Sequence, residues 1–111
     1  MKRVLSVISI LFIVSNVLHS QFYSGNELLD MLEKTEIENK VYYTMAMGYV
    51  VGVFDAYDGV LFRSPSNITI EQVKDIGKKY LIDNPETRHE AAYVLLVRAF
   101  REAFPMKDLK K

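Results

Sequence analysis

A nucleophile needs a base beside it and a third group to orient that base. The chain offers these parts thinly. It holds two histidines, His19 and His89, and no cysteine. His89 stands in Arg88-His89-Glu90, the setting of a surface or half-buried histidine. Asp55 is the more unusual residue, because from Val41 to Tyr57 only it and Thr44 are clearly polar. A carboxylate among apolar neighbours is costly unless it is paired or hydrogen-bonded. Arg88 and Arg98 are the candidate cations for such a structural pair, a helix end is a further possibility, and contact with a partner is the functional alternative. Asp55 and Glu90 could act as a carboxylate pair, but nothing in their spacing brings them together. H-E-x-x-H, an acidic metal loop and a glycine-rich phosphate loop are all missing. The residues therefore predict no catalytic, cofactor-binding or metal site, and the chain reads as a binding protein rather than an enzyme.

Charge narrows the partner class. Fourteen basic residues balance 14 acidic ones, so the basic excess of a nucleic-acid binder is lacking. Half of the 111 residues are hydrophobic, which suits one globular domain. Without cysteine, packing alone must hold that domain together.

Residues 1–20 read as an export leader and not as fold. Lys2 and Arg3 precede the mostly aliphatic run Val4–Leu18, and the polar segment Ser20–Asn26 follows. That order is the pattern of a cleavable signal peptide. Cleavage between Ser20 and Gln21 would remove two basic residues, leaving 12 basic against 14 acidic side chains in a single domain over 21–111. An uncleaved N-terminal anchor is the alternative.

Four helices must position whatever binds. The first spans about Gly25–Lys34, opened by the capping box Ser24-x-x-Glu27, with Leu28, Leu29, Met31 and Leu32 on its apolar side. The second spans about Ile37–Asp58 and ends at Gly59, a favoured C-terminal cap. Being apolar on nearly every face, it is expected in the middle of a bundle. Gly48 and Gly52, four residues apart, are expected to admit a crossing helix there. A loop over 59–69 follows. Thr69-x-x-Gln72 opens the third helix, whose buried stripe is Ile70, Val73, Ile76, Tyr80 and Leu81 and which ends near Ile82. Asn84 is placed as the cap of the fourth helix, with Pro85 in its first turn, where proline is tolerated. That helix runs to Phe104, and Pro105 stops it. The fold class is thus all-α, a small bundle of about four helices after a cleaved leader.

The loop is the most plausible binding element by composition. It carries Leu61, Phe62, Arg63, Ser64, Ser66 and Asn67, with a large ring beside a cation. Rings and arginines often anchor interfaces, and loops on rigid scaffolds often carry them. The alternative is that Leu61 and Phe62 fold back over the core and only residues 63–67 face a partner. Seven tyrosines add rings with polar tips, most of them expected at the edge of the core.

The order of short motifs resembles a known family. Gly48-Tyr49-Val50-Val51-Gly52-Val53-Phe54-Asp55-Ala56 resembles its central helix, and Phe62-Arg63-Ser64-Pro65 with Ile68-Thr69 and Gln72 resembles its loop and third-helix start. Tyr80-Leu81, Asn84-Pro85-Glu86-Thr87-Arg88-His89 and Ala92 resemble the next junction, and Ala99-Phe100 with Ala103-Phe104-Pro105 its end. The family is that of the Rap/Tai immunity proteins of type VI secretion systems, and the resemblance covers about residues 25–106. It implies a periplasmic all-helical protein that binds and inhibits a peptidoglycan amidase toxin, and often a homodimer. Members commonly carry cysteines near the second helix, in the loop and after the last Phe-Pro. Here Arg63 or Ser64 and Met106 stand at the last two places, so that disulfide framework is missing. A periplasmic helical chaperone or adaptor of the acid-stress type is the competing function. A neighbouring reading frame for an amidase-like protein would separate the two.

Overall fold

In a computed structural model, residues 23–34 and 36–107 are described. The leader assigned to residues 1–20 and its cleavage bond lie outside them. Four α-helices make up the described chain: α1 (Gly25–Glu33), α2 (Glu36–Tyr57), α3 (Ile70–Asp83) and α4 (Ala92–Ala103), with a 3₁₀ turn at Pro85–Thr87. The fold is all-α, as the helical spacing predicts.

Local sequence explains where α1 and α3 begin. Ser24 Oγ accepts the Glu27 N–H at 3.2 Å, and the Glu27 carboxylate accepts the Ser24 N–H at 2.9 Å. Thr69 and Gln72 make the same reciprocal pair at 3.1 and 2.8 Å. Each box satisfies two of the four N–H groups that a helix start leaves unpaired. The core gathers Leu28 and Leu32 from α1, Ala46, Val50 and Phe54 from α2, Val73 and Leu81 from α3, and Leu95, Leu96 and Phe100 from α4. Of the expected α3 stripe, Val73 and Leu81 are buried, Ile76 and Tyr80 lie at the edge, and Ile70 is exposed.

Three expectations are corrected. First, α2 is not enclosed. It packs Ala46, Val50 and Phe54 inward, while Val41 keeps 66% and Met45 47% of its surface in solvent. An all-round apolar sequence has no phase, so it does not reveal which face the other helices cover. The helix is also interrupted at Asn39, whose φ of −155° and ψ of 69° are not helical.

Second, Gly48 and Gly52 admit no crossing helix among the described residues. Both are exposed, and a Cβ on either would meet nothing within 4 Å. Close approach occurs at Gly77 instead, where a Cβ would sit 2.8 Å from the Leu96 side chain, and at Gly25, where it would sit 2.8 Å from the Arg88 carbonyl oxygen.

Third, Asn84 and Pro85 do not start the last helix. Asn84 closes α3, its backbone N–H and its side-chain amide both donating to the Tyr80 carbonyl, and Pro85 opens the 3₁₀ turn. The helix proper starts at Ala92 because the backbone before it is engaged elsewhere. The Arg88 and Glu90 carbonyls accept from Asn26 and Gly25 at 2.8 and 2.9 Å, and the Ala92 N–H donates to the Tyr23 carbonyl at 2.9 Å. This long-range pairing seals the start of α1 and outcompetes helix over 88–91.

Candidate functional site

The connection between α2 and α3 is a folded-down loop rather than a free one. α2 ends where Gly59 takes a φ of +87°, a left-handed conformation that costs glycine little. The Val60 and Leu61 N–H groups both donate to the Tyr57 carbonyl, at 2.9 and 3.0 Å, and the Gly59 N–H donates to the Phe62 carbonyl at 2.7 Å. The chain therefore reverses within four residues and drives Phe62 inward.

Phe62 is fully buried and meets Phe54 and Phe100 at ring-centroid distances of 5.4 and 5.3 Å. Phe54 and Phe100 meet edge to face at 5.2 Å, so the three rings close a triangle under the loop. Phe62 is thereby withdrawn from the expected contact surface, because its ring is the lid of the core. Its backbone neighbours carry the exposed surface. Val60 is 64% exposed and Leu61 38%, while Arg63, Ser66 and Asn67 are also exposed.

Asp58 locks this shape. The Ser64 N–H donates to its Oδ1 at 2.9 Å and the Ser64 hydroxyl to its Oδ2 at 2.7 Å. Those two bonds, the hydroxyl first, hold the Asp58 carboxyl below the usual carboxylate range, and the nearby Arg63 cation adds to the effect. Ser64 is consequently a loop staple more than a contact residue. In the sequence Asp58 stands out only as the end of a helix. The available signal was Asp-Gly directly after a helix, an arrangement in which the carboxylate readily captures backbone N–H groups further on.

The loop is also bound to the end of the chain. The Arg63 N–H donates to the Phe104 carbonyl at 3.1 Å. A shallow groove of about 330 Å³ opens beside this bond, lined by Pro65, Asn67, Ile68 and Phe104 from the loop and chain end, and by Gln72 and Asp75 of α3. The exposed tip and Arg63 precede Pro65 and Asn67 of this groove along the same loop.

The remaining candidates are scattered. Asp55 is exposed on α2 and meets neither expected arginine. Arg88 donates to the Leu81 carbonyl at 3.1 Å, and Arg98 pairs with Glu90 at 3.1 Å. His89 is exposed, and the adjacent Glu90 carboxylate is engaged by Arg98. Among the described residues no three His, Cys, Asp or Glu side chains converge on a possible metal site. None of the described helices is long and apolar enough to cross a membrane.

The profile of the Rap1a immunity proteins matches residues 24–106. The chain belongs to the Rap1a immunity protein family. The matched span runs from the cap of α1 to just past the Arg63–Phe104 bond, so it contains the whole loop surface. None of the curated proteins compared matches the chain.

Proposed function

We propose that the chain is exported to the periplasm and there binds and blocks a peptidoglycan amidase delivered by a type VI secretion system, with the α2–α3 loop as the inhibitory surface. The observation that carries this reading is the family match over 24–106. Three features of the chain support it. The Lys2-Arg3 start and the aliphatic run after it have the order of an export leader. The loop presents Val60, Leu61 and Arg63 from a backbone fixed by the Asp58–Ser64 and Arg63–Phe104 bonds. A contact element held rigid before binding loses little entropy on docking, which is what tight inhibition requires. An apolar tip beside a cation also suits entry into a catalytic cleft better than a purely polar loop would.

The test is a titration of a type VI peptidoglycan amidase, taken from a reading frame adjacent to this one where such a frame is present, with purified residues 21–111. Stoichiometric loss of peptidoglycan cleavage is expected, and Leu61→Ala with Arg63→Ala together should weaken inhibition at least tenfold. Full amidase activity in excess of the protein would overturn the reading. Unchanged inhibition by the double variant would remove the loop from the inhibitory surface.

A further inference from the structure

We infer that the backbone clasp between residues 23–26 and 88–92 blocks leader removal once it has closed, so that the chain reaches its mature form only if it is cut before it folds. The inference rests on the export reading above.

The clasp begins almost at the bond. Cleavage between Ser20 and Gln21 leaves only Gln21 and Phe22 before Tyr23. Two residues reach at most about 7 Å, even fully extended. From Tyr23 onward the chain is held from two sides. The Ala92 N–H donates to the Tyr23 carbonyl at 2.9 Å, the Gly25 N–H to the Glu90 carbonyl at 2.9 Å and the Asn26 N–H to the Arg88 carbonyl at 2.8 Å, around an antiparallel bridge of Ser24 with Ala91. The Tyr23 ring meets Tyr49 edge to face at 5.0 Å. Gly25 is buried, and a Cβ on it would stand 2.8 Å from the Arg88 carbonyl oxygen and 3.2 Å from the Arg88 Cα. The fully buried Leu28 anchors the turn that follows.

A peptidase holds its substrate as an extended strand, through main-chain groups on both sides of the bond. In the closed clasp the Tyr23 carbonyl and the Gly25 and Asn26 N–H groups are already taken. Cutting must then wait for local opening, and its rate follows the fraction of chains that are open. The order of emergence favours cutting first. The two halves of the clasp lie more than sixty positions apart. A chain threaded out N-terminus first presents the bond before residues 88–92 have crossed, so the clasp closes late.

The test is signal peptidase acting on the full chain, residues 1–111, in mild detergent. One sample is folded beforehand, and the other is diluted from urea directly into the peptidase. The folded precursor should be cut at least tenfold more slowly. A flexible Gly-Ser insert of about eight residues between Phe22 and Tyr23 adds about 15 Å of reach with the clasp intact, and should abolish the difference. Gly25→Ala and Tyr23→Ala loosen the clasp without moving the bond. Each should speed cutting of the folded precursor at least threefold and leave the unfolded rate unchanged, with thermal melts establishing which variants fold. Equal rates for folded and unfolded wild type would overturn the inference and leave the export reading standing. So would acceleration by the insert while the folded clasp variants stay as resistant as wild type, which would assign the resistance to crowding at the bond. An unfolded chain that is not cut would overturn the export reading, and the inference with it.

Discussion

Replacing Phe62 by alanine removes one corner of the three-ring triangle beneath the loop. The ring is fully buried and touches Phe54 and Phe100, so truncation loses the apolar transfer energy and leaves a void that rigid neighbours fill poorly. Phenylalanine truncation at such sites costs about 3–5 kcal/mol. Each aromatic pair adds about 0.5–1.5 kcal/mol beyond area burial, which favours the upper part of that range. For a domain of this size, 1 kcal/mol moves the melting midpoint by roughly 4–8 °C, so a drop of at least about 15 °C is expected. Arg63→Ala, one residue away, removes an exposed side chain and should change stability by no more than about 0.5 kcal/mol, since its backbone N–H keeps the Phe104 bond. Thermal melts by circular dichroism on the two variants, with urea titrations for the free energies, decide the matter. A Phe62→Ala midpoint within a few degrees of wild type would show that the ring is not the lid of the core, and would return Phe62 to the contact surface.

Other expectations follow from the same geometry. Gly77→Val should cost about 1–3 kcal/mol, since even its Cβ would press on Leu96, whereas Gly52→Leu should leave the monomer's midpoint undiminished; melts at low protein concentration compare them. Asp58→Ala should cost about 1–2 kcal/mol at pH 7 by releasing two hydrogen bonds. Because folding lowers the Asp58 pKa, its contribution is complete above the unfolded value of about 3.9 and fades as pH falls through the folded value, so urea titrations should show the wild-type advantage shrinking below about pH 4. Thr69→Ala should remove the α3 cap at a cost of about 1 kcal/mol, read from the same titrations.

What sequence revealed was whatever is settled locally. Ser24 with Glu27 and Thr69 with Gln72 fix two helix starts within four residues, so both are legible. Gly59 marks the end of α2 because the reversal there needs a left-handed residue. The start of α4 is not legible, because residues 88–92 hydrogen-bond to 23–26, more than sixty positions away, and no local pattern encodes that competition. The exposure of α2 is hidden for a different reason. Its apolar residues occupy every face, so periodicity cannot distinguish the side carrying Ala46, Val50 and Phe54 from the side carrying Val41 and Met45. Close approach at Gly25 and Gly77 depends on the partner helix, as does its absence at Gly48 and Gly52. In the loop, composition singles out residues 61–67 but does not show how they divide between core and solvent. Leu61 and Phe62 are neighbours of similar character, and only the Gly59–Phe62 backbone bond determines that the ring turns inward.

The central claim is protection by binding in the periplasm. It is tested most directly in cells that express the cognate amidase of this proposal fused to an export leader, with and without this protein. The account predicts that the full chain restores growth and that a chain starting at Gln21, retained in the cytoplasm, does not. Equal rescue by both forms would contradict the site of action. Lysis despite abundant exported protein would contradict the immunity function itself.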